Sequence, residues 1–360
     1  MSGVQPSGPA GGLMGPSGSC RTAAAPITLE VRAVRRPPRR QGPERVVPVA
    51  EGLTPARTAD LPHPSEEAEH VMTNLITVGL DGTPQSLSAA VWAAREATLR
   101  KARLRLLHAW VLLALEPNGT PSEKAEQNYW PRRIVEEAQA AVRSSCPDLS
   151  VEVSLVRKDP FKALTDAVEE SDLLVLGSRG LGAAARFTLG ETGLELVTHT
   201  ETPTVLVRAQ QDAPADSANG KVTVGVGLHA ACEEVLTFAF EAAARRAVPL
   251  HAVHGRHLPS YAYNRGGGVE RSAAEDAVRD AQGELAASLR PWREKFPAVR
   301  VDEEVVMENP VSALLHRSAH ADLLVVGRRH RGRVLPPRIG HVVQAAVHHA
   351  PCPVAIVPHS

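Results

Sequence analysis

Aromatic side chains are scarce in this chain: Phe, Trp and Tyr make up 3% of its 360 residues. The scarcity is uneven, because residues 1 to about 70 contain none of the three. Excess charge of one sign is also missing, with 40 Lys and Arg against 40 Asp and Glu. A balanced chain has no bulk electrostatic pull toward nucleic acid or an anionic membrane surface. No apolar run approaches the roughly 18 residues of a membrane-spanning helix. The beginning of the sequence lacks the basic flank and apolar core of a secretory signal. The four cysteines, Cys20, Cys146, Cys232 and Cys352, form no CxxC pair. That spacing speaks against a zinc or dithiol centre and for idle thiols in a reducing cytoplasm.

Catalytic signatures are absent as well. There is no GxSxG, no HExxH, no GxxxxGK(S/T), and no SGG or HIGH loop, and each of those patterns exists to place a nucleophile, metal or phosphate. Ser178 has no base supplied by its sequence neighbours. Eleven of the 15 histidines fall in residues 220–360, and His316 and His320 stand four apart on a predicted helix. Two such histidines can share a metal, but no carboxylate or cysteine stands at a matching short spacing, so they are read as solvated or capping. The expectation is a protein that is not an enzyme.

What is present is a repeat. "NLITVGLDG" from Asn74 recurs as "GKVTVGVGL" from Gly220, an offset of 146. "SDLLVLGSRG" from Ser171 recurs as "ADLLVVGRRH" from Ala321, and "TPTVLV" from Thr202 as "CPVAIV" from Cys352, both at 150. Segments repeated in the same order at nearly one offset mean a duplicated domain. The division is residues 1–71, a disordered Pro- and Arg-rich tail; 72–208, the first domain; 209–219, a small polar linker; and 220–360, a second, degenerate domain. The tail carries runs such as "RRPPRRQGP" and too little apolar surface to order itself. Met72, just before the first strand-like run, is a second candidate start of translation.

Within the first copy, runs of Val, Leu and Ile near 74–80, 103–110, 150–156, 172–177 and 203–208 predict strands covered on both faces. Helical spacing separates them, as in Leu87, Val91 and Ala94, and in the second copy Ile339, Val342, Val343, Ala346 and Val347. Alternating strands and helices predict an α/β fold, a parallel sheet with right-handed crossovers and helices on both faces. Each copy is expected to form its own five-stranded sheet in order 3-2-1-4-5. An apolar edge must be covered, so the last strands, "TPTVLV" and "CPVAIV", are expected to pack against or pair with each other about a pseudo-twofold axis.

One loop asks for a ligand. Gly177, Gly180 and Gly190, with two and nine residues between them, stand between the fourth strand and the next helix. Glycines let backbone N–H groups approach an anion, and a helix start presents unpaired donors. Asp81 ends the first strand, at the rim where such sheets bind ligands. Each glycine, and the Asp81-Gly82 pair, is also an ordinary turn residue.

The series "VGLDGT", "LRLLHAW", "DPFKALTDA", "DLLVLGSRGLG", "TPTVLV" resembles a universal stress protein domain, over about 74–208 and again over about 220–358. The resemblance implies two tandem Rossmann-like domains of the adenine nucleotide alpha hydrolase type, and ATP, with Mg²⁺ in company, as ligand. It implies that Asp81 and Ala109 flank the adenosine and that Gly177, Gly180 and Gly190 lie under the phosphates. Gly79, Leu176, Glu191 and Thr192 complete the candidate site. Glu191 departs from the family, which places Ser or Thr there; a carboxylate about 4 Å from a phosphate charge is repelled by ~1 kcal/mol in water and ~4 kcal/mol at intermediate dielectric. Arg179 and Arg186 are candidates to offset it. In the second copy Gly227 stands for Asp81, His330 for Gly180 and His341 for the hydroxyl, although Gly327 and Gly340 remain. Arg328, Arg329, Arg331, Arg333 and Arg338 make that loop basic. The resemblance further implies a cytoplasmic stress sensor or adaptor, an intramolecular pseudo-dimer able to form homo-oligomers, with no nucleic acid or membrane partner. A nucleotide-free interaction scaffold is the alternative.

Overall fold

The computed structural model describes residues 74–111, 129–178, 191–209, 220–228, 232–263, 267–329 and 339–360, all in one compact unit, Ala68–Ser360. The tail and residues 210–219 of the linker lie outside the described residues.

The first copy contributes β1 (Leu75–Leu80), α1 (Pro84–Arg100), β2 (Arg103–Ala109), α2 (Tyr129–Ser145), β3 (Val151–Val156), α3 (Pro160–Val168), β4 (Leu173–Ser178), α4 (Glu191–His199) and β5 (Thr204–Arg208). The second contributes β6 (Val222–Gly225), α5 (Glu233–Arg246), β7 (Leu250–Gly255), α6 (Arg271–Lys295), β8 (Val301–Val306), α7 (Pro310–Arg317), β9 (Leu323–Arg329), α8 (His341–His349) and β10 (Val354–His359). The duplication extends to helix ends. α3 opens on Asp159-Pro160 and α7 on Asn309-Pro310, each cap side chain accepting a first-turn N–H and each proline occupying a position that needs no donor. α1 and α5 both end on a left-handed residue that is not glycine, Lys101 and Ala247, each at φ 53°.

Each copy has its strands parallel in order 3-2-1-4-5, but the two sheets are not separate. Strand order runs β3-β2-β1-β4-β5-β10-β9-β6-β7-β8, one ten-stranded sheet. The joint is the expected one between the last strands: Val354, Ala355 and Ile356 pair antiparallel with Leu206, Val205 and Thr204. Pairing satisfies both edges through the backbone, which packing alone would leave with unpaired N–H and C=O groups.

Because strand side chains alternate, the sheet feeds two apolar layers. Leu173 and Val175 belong to the layer that α1, α2, α5 and α6 cover, while Leu174 and Leu176 belong to the layer that α3, α4, α7 and α8 cover. The buried stripe of α1 is Ala89, Ala90, Ala93, Ala94 and Ala97. Leu87 and Val91, expected on that face, are only half-buried. Small side chains win the stripe because α1 lies close against β1, β4 and β5.

The copies also meet through α1 and α5. Glu96 is 1% exposed and binds both Arg100 of its own helix and Arg246 of the other copy. Arg100 stands 5.0 Å from the Phe238 ring, and Arg246 stands 5.9 Å from the Trp92 ring. Both pairs are related by the 146-residue offset, so two equivalent cation–aromatic contacts flank one carboxylate that has no equivalent, Ala242 occupying its place. Burial pushes the Glu96 carboxyl up, but the Arg246 and Arg100 guanidiniums outweigh it and hold it below its ordinary value.

Candidate functional site

The strand order reverses between β1 and β4, and the residues of interest stand at the carboxyl ends of those strands and of β2. Gly79 pairs with Leu176 across the β1–β4 ladder, and Leu176 is a core side chain against Leu164 and Leu196. Ala109 ends β2, half-buried and paired with Val156. Asp81 lies just beyond β1 and is exposed. Its Oδ1 accepts from the Thr83 amide at 3.0 Å and the Thr83 hydroxyl at 2.6 Å, closing a turn whose middle residue, Gly82, has φ +80°. Thr83 in turn caps α1 through the Ser86 amide. Asp81 is therefore a turn-forming carboxylate at the rim, and any ligand it serves shares it with Thr83.

Gly177 has a packing reason of its own. A Cβ there would sit 2.6 Å from Gln85 C and Ser86 N, so the first turn of α1 rests on the end of β4. Gly180 and Gly190, with Arg179 and Arg186, lie outside the described residues. The backbone of Glu191 and Thr192 opens α4. Ser178 is buried in β4.

Three further residues at this end of the sheet carry contacts that spacing did not single out. Buried His108 bonds through Nδ1 to the Leu80 carbonyl at 2.7 Å, one residue before Asp81. Trp110 stacks on His108 with centroids 6.1 Å apart, and the Arg157 guanidinium stands 5.8 Å from the Trp110 ring. The signal lay in the repeat: His254 in "HAVHG" makes the equivalent bond to the Val226 carbonyl at 2.8 Å. These histidines pin the end of the first strand in both copies.

The second copy keeps that pin and changes the rest. A Cβ at Gly227 would meet nothing within 4 Å, so the carboxylate has gone without a packing demand replacing it. At Gly327 a Cβ would meet the His359 ring at 2.8 Å and Val235 at 3.0 Å. Gly340 is the N-cap of α8. His330, Arg331, Arg333 and Arg338 lie outside the described residues, and Arg329 is exposed. Arg328 does not belong with the basic loop. It is 4% exposed and turned into the other copy, where Nη1 donates to the Thr198 carbonyl at 3.1 Å and Nη2 to the Thr200 carbonyl at 2.5 Å. Burial pulls its pKa down, with Glu201 pulling back. Elsewhere in this copy His316 faces Glu308 at 3.6 Å. No described helix is long and apolar enough to cross a membrane.

A duplicated α/β unit with this strand order matches one known family over both copies. The family model described as "Universal stress protein family" matches residues 72–208 and 218–358. A universal stress protein of Mycobacterium tuberculosis is 30% identical over 298 residues, which is 79% of this chain and 97% of the relative. Another, of Mycolicibacterium smegmatis, is 30% identical over 292 residues, 78% of this chain and 96% of the relative. Among solved structures, a universal stress protein of Archaeoglobus fulgidus aligns with 80% of this chain and 99% of its own, at 17% identity and a TM-score of 0.59. The match spans nearly the whole length of each relative and falls twice on the same stretch of fold, so this chain belongs to the universal stress protein family as a tandem two-domain member.

Proposed function

We propose that the first copy binds ATP or a related adenine nucleotide and that the chain acts as a stress-response sensor or adaptor, not as a catalyst. The observation that carries this reading is the meeting of Asp81 and Gly177 at the carboxyl ends of adjacent strands, at the reversal of strand order, in the first copy alone. A carboxylate there suits a ribose or an adenine amine, and a glycine leading toward a helix start suits phosphate oxygens. Mg²⁺ would enter with the phosphates. Against catalysis stands Ser178, the hydroxyl beside the loop, which is buried in its strand. The second copy, lacking the carboxylate, completes the pseudo-dimer. A nucleotide-free scaffold is the second reading, and the commitment of Asp81 Oδ1 to Thr83 favours it.

Native mass spectrometry of the purified chain, followed by calorimetric titration with ATP, separates the two. On the nucleotide reading, Asp81→Ala weakens ATP about tenfold or more, the equivalent of ~1.4 kcal/mol. Glu191→Ser, which restores a hydroxyl and removes a repelling charge, tightens it by a similar factor. An unchanged affinity in Glu191→Ser removes the repulsion argument. No binding by wild type or by either variant leaves the scaffold.

A further inference from the structure

The two helices that follow the glycine loops are each held at their far end by an arginine of the opposite copy. Arg328 of β9 donates to the carbonyls of Thr198 and Thr200 at the end of α4. Arg208 of β5 donates to the carbonyls of Val347, at 3.1 Å, and His348 at the end of α8. A helix end carries carbonyls without intrahelical partners and a partial negative charge, so a guanidinium is the matching cap. The two arginines are not equivalent by the repeat. Ser178 pairs with Arg208 in the first copy and Arg328 with Pro358 in the second. Each copy thus keeps one arginine of the same cross-strand pair, on opposite strands. Both reach across the joint made by β5 and β10.

α4 is nine residues, a rod of about 14 Å. Leu196 and Val197 hold its second half in the apolar layer with α3. Its first residue is Glu191, where the candidate phosphate loop ends. From this geometry we infer that Arg328 is a positioning residue for the nucleotide site of the first copy. It fixes α4 from the other copy, so that a nucleotide at the start of the helix and the clamp at its end stabilise each other. The inference rests on the nucleotide reading above for its ligand, and on the clamp alone for its mechanical half. It gives the second copy a task that its loss of the carboxylate does not touch.

The test uses the full chain with the variants Arg328→Gln, Arg328→Lys and Arg208→Gln. Amide hydrogen exchange is followed without and with ATP, and ATP affinity is measured by calorimetry. Arg328→Gln removes two charge-assisted bonds, so amides of 194–200 are expected to exchange about tenfold faster or more. ATP affinity should fall severalfold in the same variant. Arg328→Lys, which keeps the charge and loses the fork, should recover part of both. Arg208→Gln should loosen 345–350 and leave ATP affinity unchanged, which separates positioning from general damage to the joint. In wild type, ATP should slow exchange in 194–200. Unchanged exchange in Arg328→Gln overturns the clamp. Faster exchange with unchanged ATP affinity overturns the coupling. A wild type that binds no ATP overturns the nucleotide reading and the coupling with it, while the exchange of the variants still decides the clamp.

Discussion

At the end of its first strand the first copy has Asp81 bonded into a turn, and the second has Gly227 beside open space. One step inward the copies agree: buried His108 and His254 pin the equivalent carbonyl at the end of the first strand. Divergence sits at the rim, where a change costs little packing, and agreement sits where a buried polar group must be satisfied. The second copy has been freed from whatever the rim does without being freed from the fold.

The comparison can be broken most severely at the joint. Glu96→Gln leaves two partly buried guanidiniums facing one buried neutral amide, and is expected to cost about 3 kcal/mol in denaturant unfolding. The carboxyl is held low in the folded state, so its contribution is fully present above the ordinary carboxylate range and is lost as pH falls through the depressed folded value. The gap between wild type and variant should therefore narrow in acid; a gap independent of pH would mean that the charge on Glu96 is not what holds the arginines.

A milder test sets the two strand-end glycines against each other. Gly177→Ala drives a methyl into the α1 backbone at 2.6 Å and should cost about 2–3 kcal/mol. Gly327→Ala meets the His359 ring and Val235, side chains able to turn aside, and should cost about 1 kcal/mol or less. Equal losses in thermal unfolding would show that the first turn of α1 is not fixed on β4. The smallest effect is chemical. Where the first copy has Thr202 the second has Cys352, whose thiol burial pushes up to about 12. Iodoacetamide at pH 8 should leave Cys352 unmodified in the native chain and label it once the chain is unfolded.

The strands, their order and the joint between the copies were legible because Val- and Leu-rich runs recur at one offset, and a repeated pattern is hard to produce by anything but a repeated fold. The buried face of α1 was not. Alanine gives a weak periodic signal, and only the closeness of β4 makes it the right residue there. Asp81 and Gly177 were picked out correctly as rim residues, while the hold of Thr83 on Asp81 and the contact of Gly177 with Gln85 depend on a turn that spacing cannot specify. Arg328 was the clearest misreading. In sequence it stands among arginines of an anion-binding loop; in space its partners are about 130 residues away, in the other copy. No local pattern announces a cap supplied across a domain joint.

The antiparallel meeting of β5 and β10 has a directional consequence. All five strands of one copy run one way and all five of the other run the opposite way, so the carboxyl ends of their strands lie at opposite margins of the sheet. A single small molecule cannot touch both rims. On the proposed reading, a nucleotide bound at the rim of the first copy leaves the rim of the second facing away from it, at the far margin of the same sheet.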